Sequence, residues 1–472
     1  MNQQSPHTKR RNFWQRHSST SKSVKAVINS SMLLALSLLA SCAAAITAPT
    51  VRSTPTTTQI TQPTPLTPPA STSSPASTVG GTIHHYEYVF PDGSMYVYDM
   101  DNGHALVKKV SLPTAAGVRG VAASPATHML YVSYGGDGGG NGNGSLLKYD
   151  LLTDTVAWKR DYSHGIDSMD ITPDGKTIYM PDGELSPDGT WYVIDAATGN
   201  ETGTINGGTG PHNTIVSLNG KHVYLGGRNY RYLEVADTAT NQVIKSIGPL
   251  LSGVRPFTIN GEETIAYMST TGFLGFQVGD ITTGKILYTV PIHGFSWDGS
   301  GPSDPSHGIS LSPDEKELYV IDWANSYVHV FDVSKVPASA PRQVADIKLT
   351  RSMHHNETPC AYDCLGDGWL QHSRDGRFVY IGDEGDVIDT ATRSVVANLD
   401  ALYNTRKMLE IDWQNGMPIS TTSREGVGYV TNSASSLPPT TSLMFSTFPT
   451  NEDLRQGVIP LRYPPKRKRF IT

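Results

Sequence analysis

An Asp-led turn recurs seven times along this chain. It reads Asp99-Met-Asp-Asn-Gly103, Asp150-Leu-Leu-Thr153, Asp195-Ala-Ala-Thr-Gly199, Asp237-Thr-Ala-Thr-Asn241, Asp280-Ile-Thr-Thr-Gly284, Asp332-Val-Ser334 and Asp389-Thr-Ala-Thr-Arg393. Successive spacings are 51, 45, 42, 43, 52 and 57 residues. Asp and Thr side chains hold such turns by bonding nearby backbone amides. A short Tyr-centred apolar strand lies between the turns: Leu130-Tyr131-Val132, Ile178-Tyr179-Met180, Val223-Tyr224-Leu225, Ala266-Tyr267-Met268, Leu318-Tyr319-Val320, Val379-Tyr380-Ile381 and Gly428-Tyr429-Val430. Hairpin signals such as Pro173-Asp174-Gly175, Asn219-Gly220 and Arg374-Asp375-Gly376 precede most of them. Self-similarity at this period means a repeat architecture, because one such unit cannot bury its own apolar face.

Each unit reads strand, turn, Tyr-strand, loop, strand, Asp-turn, strand. Four strands per unit, seven units, predict an all-β, seven-bladed β-propeller of four-stranded antiparallel blades. Composition agrees. There are 45 Gly and 31 Pro in 472 residues, only 17% are charged, and 38% are hydrophobic, enough to fill a core and too few charges for a coiled coil. The first turn has few strands before it, and Tyr429 has no Asp-turn after it. The ring is therefore expected to close with strands from both termini, Leu409–Trp413 and Val427–Thr431 joining Met95–Asp99 and Ala105–Ser111. Closure removes exposed edges.

The repeats resemble the YVTN-repeat family of seven-bladed β-propellers, and Tyr429-Val430-Thr431-Asn432 spells its signature. The resemblance runs over about residues 86–432 and implies a fold and a cell-envelope location. It implies no single chemistry, because propellers host many. More distantly, the sequence is similar to lactonase-type propellers and to the propeller of nitrous oxide reductase.

The first 41 residues hold Lys9, Arg10, Arg11, Arg16, Lys22 and Lys25 and no acid, followed by the apolar run Met32–Ala40. That run is too short to span a bilayer, and the order is that of a secretory signal. It ends Leu39-Ala40-Ser41-Cys42, which looks like a bacterial lipobox with Cys42 as the lipidated residue. The reading divides the chain into a lipoprotein signal peptide (1–41), a Thr/Pro/Ser-rich tether (42–83), the propeller (84–450) and a basic tail (451–472). The tether carries a single charge, Arg52, and cannot bury a core. The whole chain has net charge −6, and the signal holds six of its 37 basic residues and none of its 43 acidic ones, so the remainder carries −12. So acidic a protein is a poor nucleic-acid binder. The expected partners are the membrane, through the lipid, and a small polar ligand or a partner protein.

Blade geometry locates a candidate site. Counting six residues back from each inner-strand hairpin lands on Arg119, Asp167, His212, His307 and Gly368. Arg255 falls near the matching place, and Asp367 abuts Gly368. His164 lies just before Asp167. Strand alternation puts equivalent residues at one height around the channel, so Arg119, Asp167, His212, Arg255, His307 and Asp367 form a predicted ligand-binding ring. No cofactor is expected. His212 and His307 with Asp167 or Asp367 have the donor types for a divalent metal, but without the dense spacing of a metal motif. Cys360 and Cys364, in the longest insertion between blades, are expected to pair outside the cytoplasm. Gly135–Gly144, with Asp137, reads as a flexible loop. The leading function is ligand or partner binding at the channel mouth. The alternative is an enzyme, a lactonase-like hydrolase or a His-metal oxidoreductase, with His212 or His307 as base.

Overall fold

The computed structural model describes residues 81–362 and 364–422. The signal peptide, Cys42, nearly all of the tether, Val427–Thr431 with Tyr429, and the tail lie outside the described residues.

The strands form seven antiparallel sheets arranged as propeller blades. The first blade is Val118–Ser124, Met129–Gly135, Gly144–Asp150 and Thr155–Asp161, in that spatial order from the axis outward. The next five start with the inner strands Asp170–Ile171, Pro211–Val216, Val254–Ile259, Ile309–Leu311 and Leu370–His372, and each has four strands in chain order. Inner strands are buried along their whole length, as in Pro211–Val216 and Val254–Ile259. The outermost strand Thr155–Asp161 shows its charged residues to water and half-buries Val156 and Trp158. One layer of sheet is thus buried on both faces inside and alternates outside, because blades cover each other only near the axis.

The seventh blade closes the ring with both ends of the chain. Its order is Met417–Thr421, Met408–Gln414, Ile83–Val89, Ser94–Asp99, Ala105–Ser111. The C-terminal strand Met408–Gln414 joins as expected, but its neighbour is Ile83–Val89, in seven-residue register with it. Ile83–Val89 takes the Tyr-strand place that the sequence reading gave to the stretch around Tyr429. Its Tyr88 is buried against the first blade, and Trp413 Nε1 donates to the Tyr88 hydroxyl at 3.1 Å.

The repeat signals have physical causes. The Asp carboxylates cap the outer hairpins: Asp195 accepts from the Thr198 amide at 2.8 Å and hydroxyl at 2.7 Å, and Asp237 and Asp389 do the same with Thr240 and Thr392. Four of the repeated tyrosines tie their blade to the next. Tyr131 of the first blade donates to the Ala196 carbonyl in the second blade's turn at 2.9 Å. Tyr179 reaches Asn241 of the third at 3.1 Å, and Tyr224 reaches Glu263 of the fourth at 2.9 Å. Tyr380 of the sixth meets His104 of the seventh at 2.9 Å. The core consists of such interfaces. Ile215, Tyr224 and Leu233 of the third blade, for example, pack on Phe257, Ala266 and Met268 of the fourth.

Candidate functional site

Every inner strand enters the ring from the same end, so the residues at their starts converge there. Arg119, His212 and Arg255 sit at the second position of their inner strands, and Asp167, His307 and Asp367 lie two or three residues ahead of theirs. All six line one cavity of about 80 Å³. Each is at least nine-tenths buried. The rings of His212 and His307 are 6.2 Å apart, 95 positions apart in sequence.

The cavity wall is a charge network. Glu184 accepts from Arg119 at 3.0 Å, from Arg228 at 2.8 Å and from Arg255 at 3.4 Å. Burial opposes its ionisation, but His212, Arg119, Arg255 and Arg228 together hold it well below the usual carboxylate range. Arg119 is also paired with Asp137, and Arg406 bonds Asp367 at 2.6 Å. Asp167 accepts from His212 Nδ1 at 2.9 Å. Burial opposes its ionisation too, and His212 and Arg119 overcome it, leaving Asp167 below its ordinary range. Because that carboxylate only accepts, His212 Nδ1 is the donor and Nε2 faces the cavity. Nε2 is buried and has no hydrogen bond among the described residues. His307 donates through Nδ1 to the Gly368 carbonyl at 2.6 Å, so its Nε2 also faces inward. Burial, then Arg255 and Arg406, push its pKa well down, so the ring is neutral. Asp304 is displaced upward by burial, with Arg255 offsetting part of that.

Five charged lining residues escaped the sequence reading: Glu184, Arg228, Asp304, Arg406 and Lys407. Glu184 and Arg228 sit on loops between the second and third strands of their blades, and Asp304 on a connection between blades; these loops vary in length, so a periodic count has no purchase on them. Arg406 does carry a signal. The same six-residue count from the Asn415-Gly416 turn lands on Met408, beside Lys407 and Arg406. His164 is drawn elsewhere: its ring stacks on Tyr192 at 3.5 Å and bonds Glu201 at 3.1 Å, in the joint between the first two blades.

The Gly-rich loop is packed at its base, where residues 136–138 are buried, while its tip, residues 139–143, is exposed. Asp137 on it is fully buried against Arg119, and a Cβ at Gly183 would lie 2.1 Å from the Asp137 carbonyl oxygen. The insertion before the sixth blade forms a strap over the cavity mouth. Cys360 and Cys364 are joined, with α-carbons 5.8 Å apart. Between them, the Tyr362 hydroxyl bonds the Gly135 carbonyl of the first blade, and its ring lies 5.1 Å from the Arg119 guanidinium. The Ala361 amide donates to Asp92 of the seventh blade at 2.8 Å. Glycine is required at Gly117, where φ is +67° and a Cβ would strike the Tyr362 ring at 2.5 Å. Leu365 at the strap's end lines the cavity itself.

No family model matches this sequence, and no curated protein does. Among solved structures, the chain is similar to hydrazine synthase from Kuenenia stuttgartiensis, with a TM-score of 0.44 and 19% identity over 67% of this chain and 88% of that one.

Proposed function

We propose that this chain is a lipid-anchored, extracytoplasmic propeller of the YVTN-repeat type that binds a small polar solute in its axial cavity. One observation carries the reading. His212 Nε2 and Asp304 Oδ2 are buried in the cavity wall with no hydrogen-bond partner among the described residues. A buried polar atom left unmatched costs about 1–3 kcal/mol, so the wall gains from an occupant that donates hydrogen bonds to these two acceptors. The fixed guanidiniums of Arg119, Arg228 and Arg255 favour an occupant with anionic character. The small volume excludes drug-sized ligands. The lipobox at Cys42 supports the anchor, and the Thr/Pro/Ser tether supports a propeller held off the membrane.

A thermal-shift panel of small anions, phosphate, sulfate, nitrate and short carboxylates, tests the cavity. A solute at a hundred times its Kd stabilises the fold by about 2.7 kcal/mol. The shift is expected in the native chain and not in His212→Ala. A shift that survives His212→Ala together with Arg119→Gln moves the function to the outer loops. Cys42→Ala tests the anchor: the protein should leave the membrane fraction or keep its uncleaved mass, and unchanged partition and mass would remove the lipoprotein reading.

A further inference from the structure

His307 makes an unusual set of contacts in the cavity wall. Its Nδ1 hydrogen is committed to the Gly368 carbonyl. Its Nε2 lies 3.6 Å from Asp304 Oδ2 and 3.7 Å from Asp367 Oδ2. Neither separation is a hydrogen bond, since a proton shared between nitrogen and carboxylate draws them to about 2.7–2.9 Å. Three electron-pair donors from three places in the chain therefore face one point, all three atoms within 4.8 Å of one another. The other oxygens of both carboxylates are held away from that point: Asp304 Oδ1 by Arg255 at 3.4 Å, and Asp367 Oδ1 by Arg406 at 2.6 Å. A second observation is independent of this cluster. His212 is nine-tenths buried or more, lines the same cavity, and points an Nε2 without a hydrogen bond into it.

We infer that Asp304, His307 and Asp367 form a binding site for a divalent transition-metal ion, with the side facing His212 left open. Bonds of about 2.1 Å to nitrogen and oxygen in a tetrahedral shell set the donors about 3.4 Å apart, close to the two distances seen. One imidazole with two carboxylates suits zinc, manganese, iron or cobalt and disfavours magnesium and calcium, which take oxygen alone. Gly368, Arg255 and Arg406 then act as an outer shell that fixes the imidazole and both carboxylates. This site rests on the axial cavity being where the protein binds. A bound ion with one open position supplies the electrophile that an anionic solute meets there.

The test uses the full chain, stripped with a chelator and checked for native near-ultraviolet circular dichroism. Titration with Co(II) should give one equivalent per chain and a visible d–d band that Zn(II) abolishes. Asp304→Asn and His307→Ala should each weaken Co(II) binding at least tenfold. If His307→Ala does not fold, Asp367→Asn, which keeps the side chain's size, takes its place. Folded native protein that binds no Co(II), or unchanged binding in the folded variants, overturns the site. So does binding that disappears in His85→Ala, because His85, Glu410 and Asp412 form a separate cluster in the closing blade. Solute shifts measured on the metal-free protein report on the cavity reading by itself, so either idea can fail alone.

Discussion

The Tyr131 side chain gives the sharpest test of how this ring is held together. Its ring is fully buried between the first and second blades, and its hydroxyl donates to the Ala196 carbonyl at 2.9 Å. Tyr131→Phe removes that bond alone. The Ala196 oxygen keeps a second donor, Lys148 Nζ at 3.1 Å, so it is not stranded. The loss should then be that of one ordinary hydrogen bond, about 1 kcal/mol. Tyr131→Ala also empties the ring's volume from a packed interface and should cost about 3–5 kcal/mol. An unfolding entropy near 2.1 cal/mol/K per residue gives the ~340 residues described here about 0.7 kcal/mol per degree. The expected Tm drops are therefore ~1–2 °C for Tyr131→Phe and ~4–7 °C for Tyr131→Ala. Scanning calorimetry at pH 7.5 reads both. Tyr179→Phe loses the equivalent tie one blade on, and the two Phe changes should add, because they lie in different interfaces. If Tyr131→Ala costs no more than Tyr131→Phe, burial of the ring is not what the repeat conserves in structure. If neither variant moves Tm, the inter-blade tie is refuted.

Three further outcomes follow, two of them from buried groups. His372 is buried against Tyr319, and burial pushes its pKa down to about 3. The unfolded chain therefore takes up a proton below pH 6.5 that the folded chain refuses, and stability should fall by about 2 kcal/mol between pH 6.5 and 5. His372→Gln should flatten that slope in denaturant titrations, and an unaltered slope would exclude His372 as its source. Glu87 lies directly opposite Glu410 in the closing blade, fully buried, with neither carboxylate oxygen hydrogen-bonded among the described residues. Burial, then Glu410, raise its pKa well above normal, so the fold holds its proton and loses stability as pH climbs past the unfolded value. Glu87→Gln should raise stability at pH 8 by about 1–3 kcal/mol, and a loss there would contradict a protonated, unpaired Glu87. Finally, Cys360→Ser with Cys364→Ser should cost only about 1–3 kcal/mol, because the closed loop is short. Two free thiols in the native protein purified without reductant would show the bridge absent.

Local rules made the architecture readable from sequence. An Asp carboxylate caps a backbone amide two or three residues on, so each outer hairpin leaves a mark at fixed spacing. A tyrosine on the second strand is buried between blades, and in four blades its hydroxyl reaches the next blade, so it recurs too. The ring positions Arg119, His212 and Arg255 were legible for the same reason: strand periodicity puts equal counts at equal depth. What escaped is not periodic. Glu184, Asp304 and Arg228 stand on loops whose lengths differ from blade to blade, and only the closed ring brings them to Arg119 and His307. The choice of Ile83–Val89 for the closing blade turned on packing between chain ends, Tyr88 against Trp413 and the first blade, which no local pattern encodes. The sequence alone thus determined seven blades and the end of the channel where polar side chains gather. The tertiary structure decided which charges meet, because a salt bridge such as Arg255 to Glu184 joins residues 71 positions apart and depends on distances of a few ångströms that only packing sets.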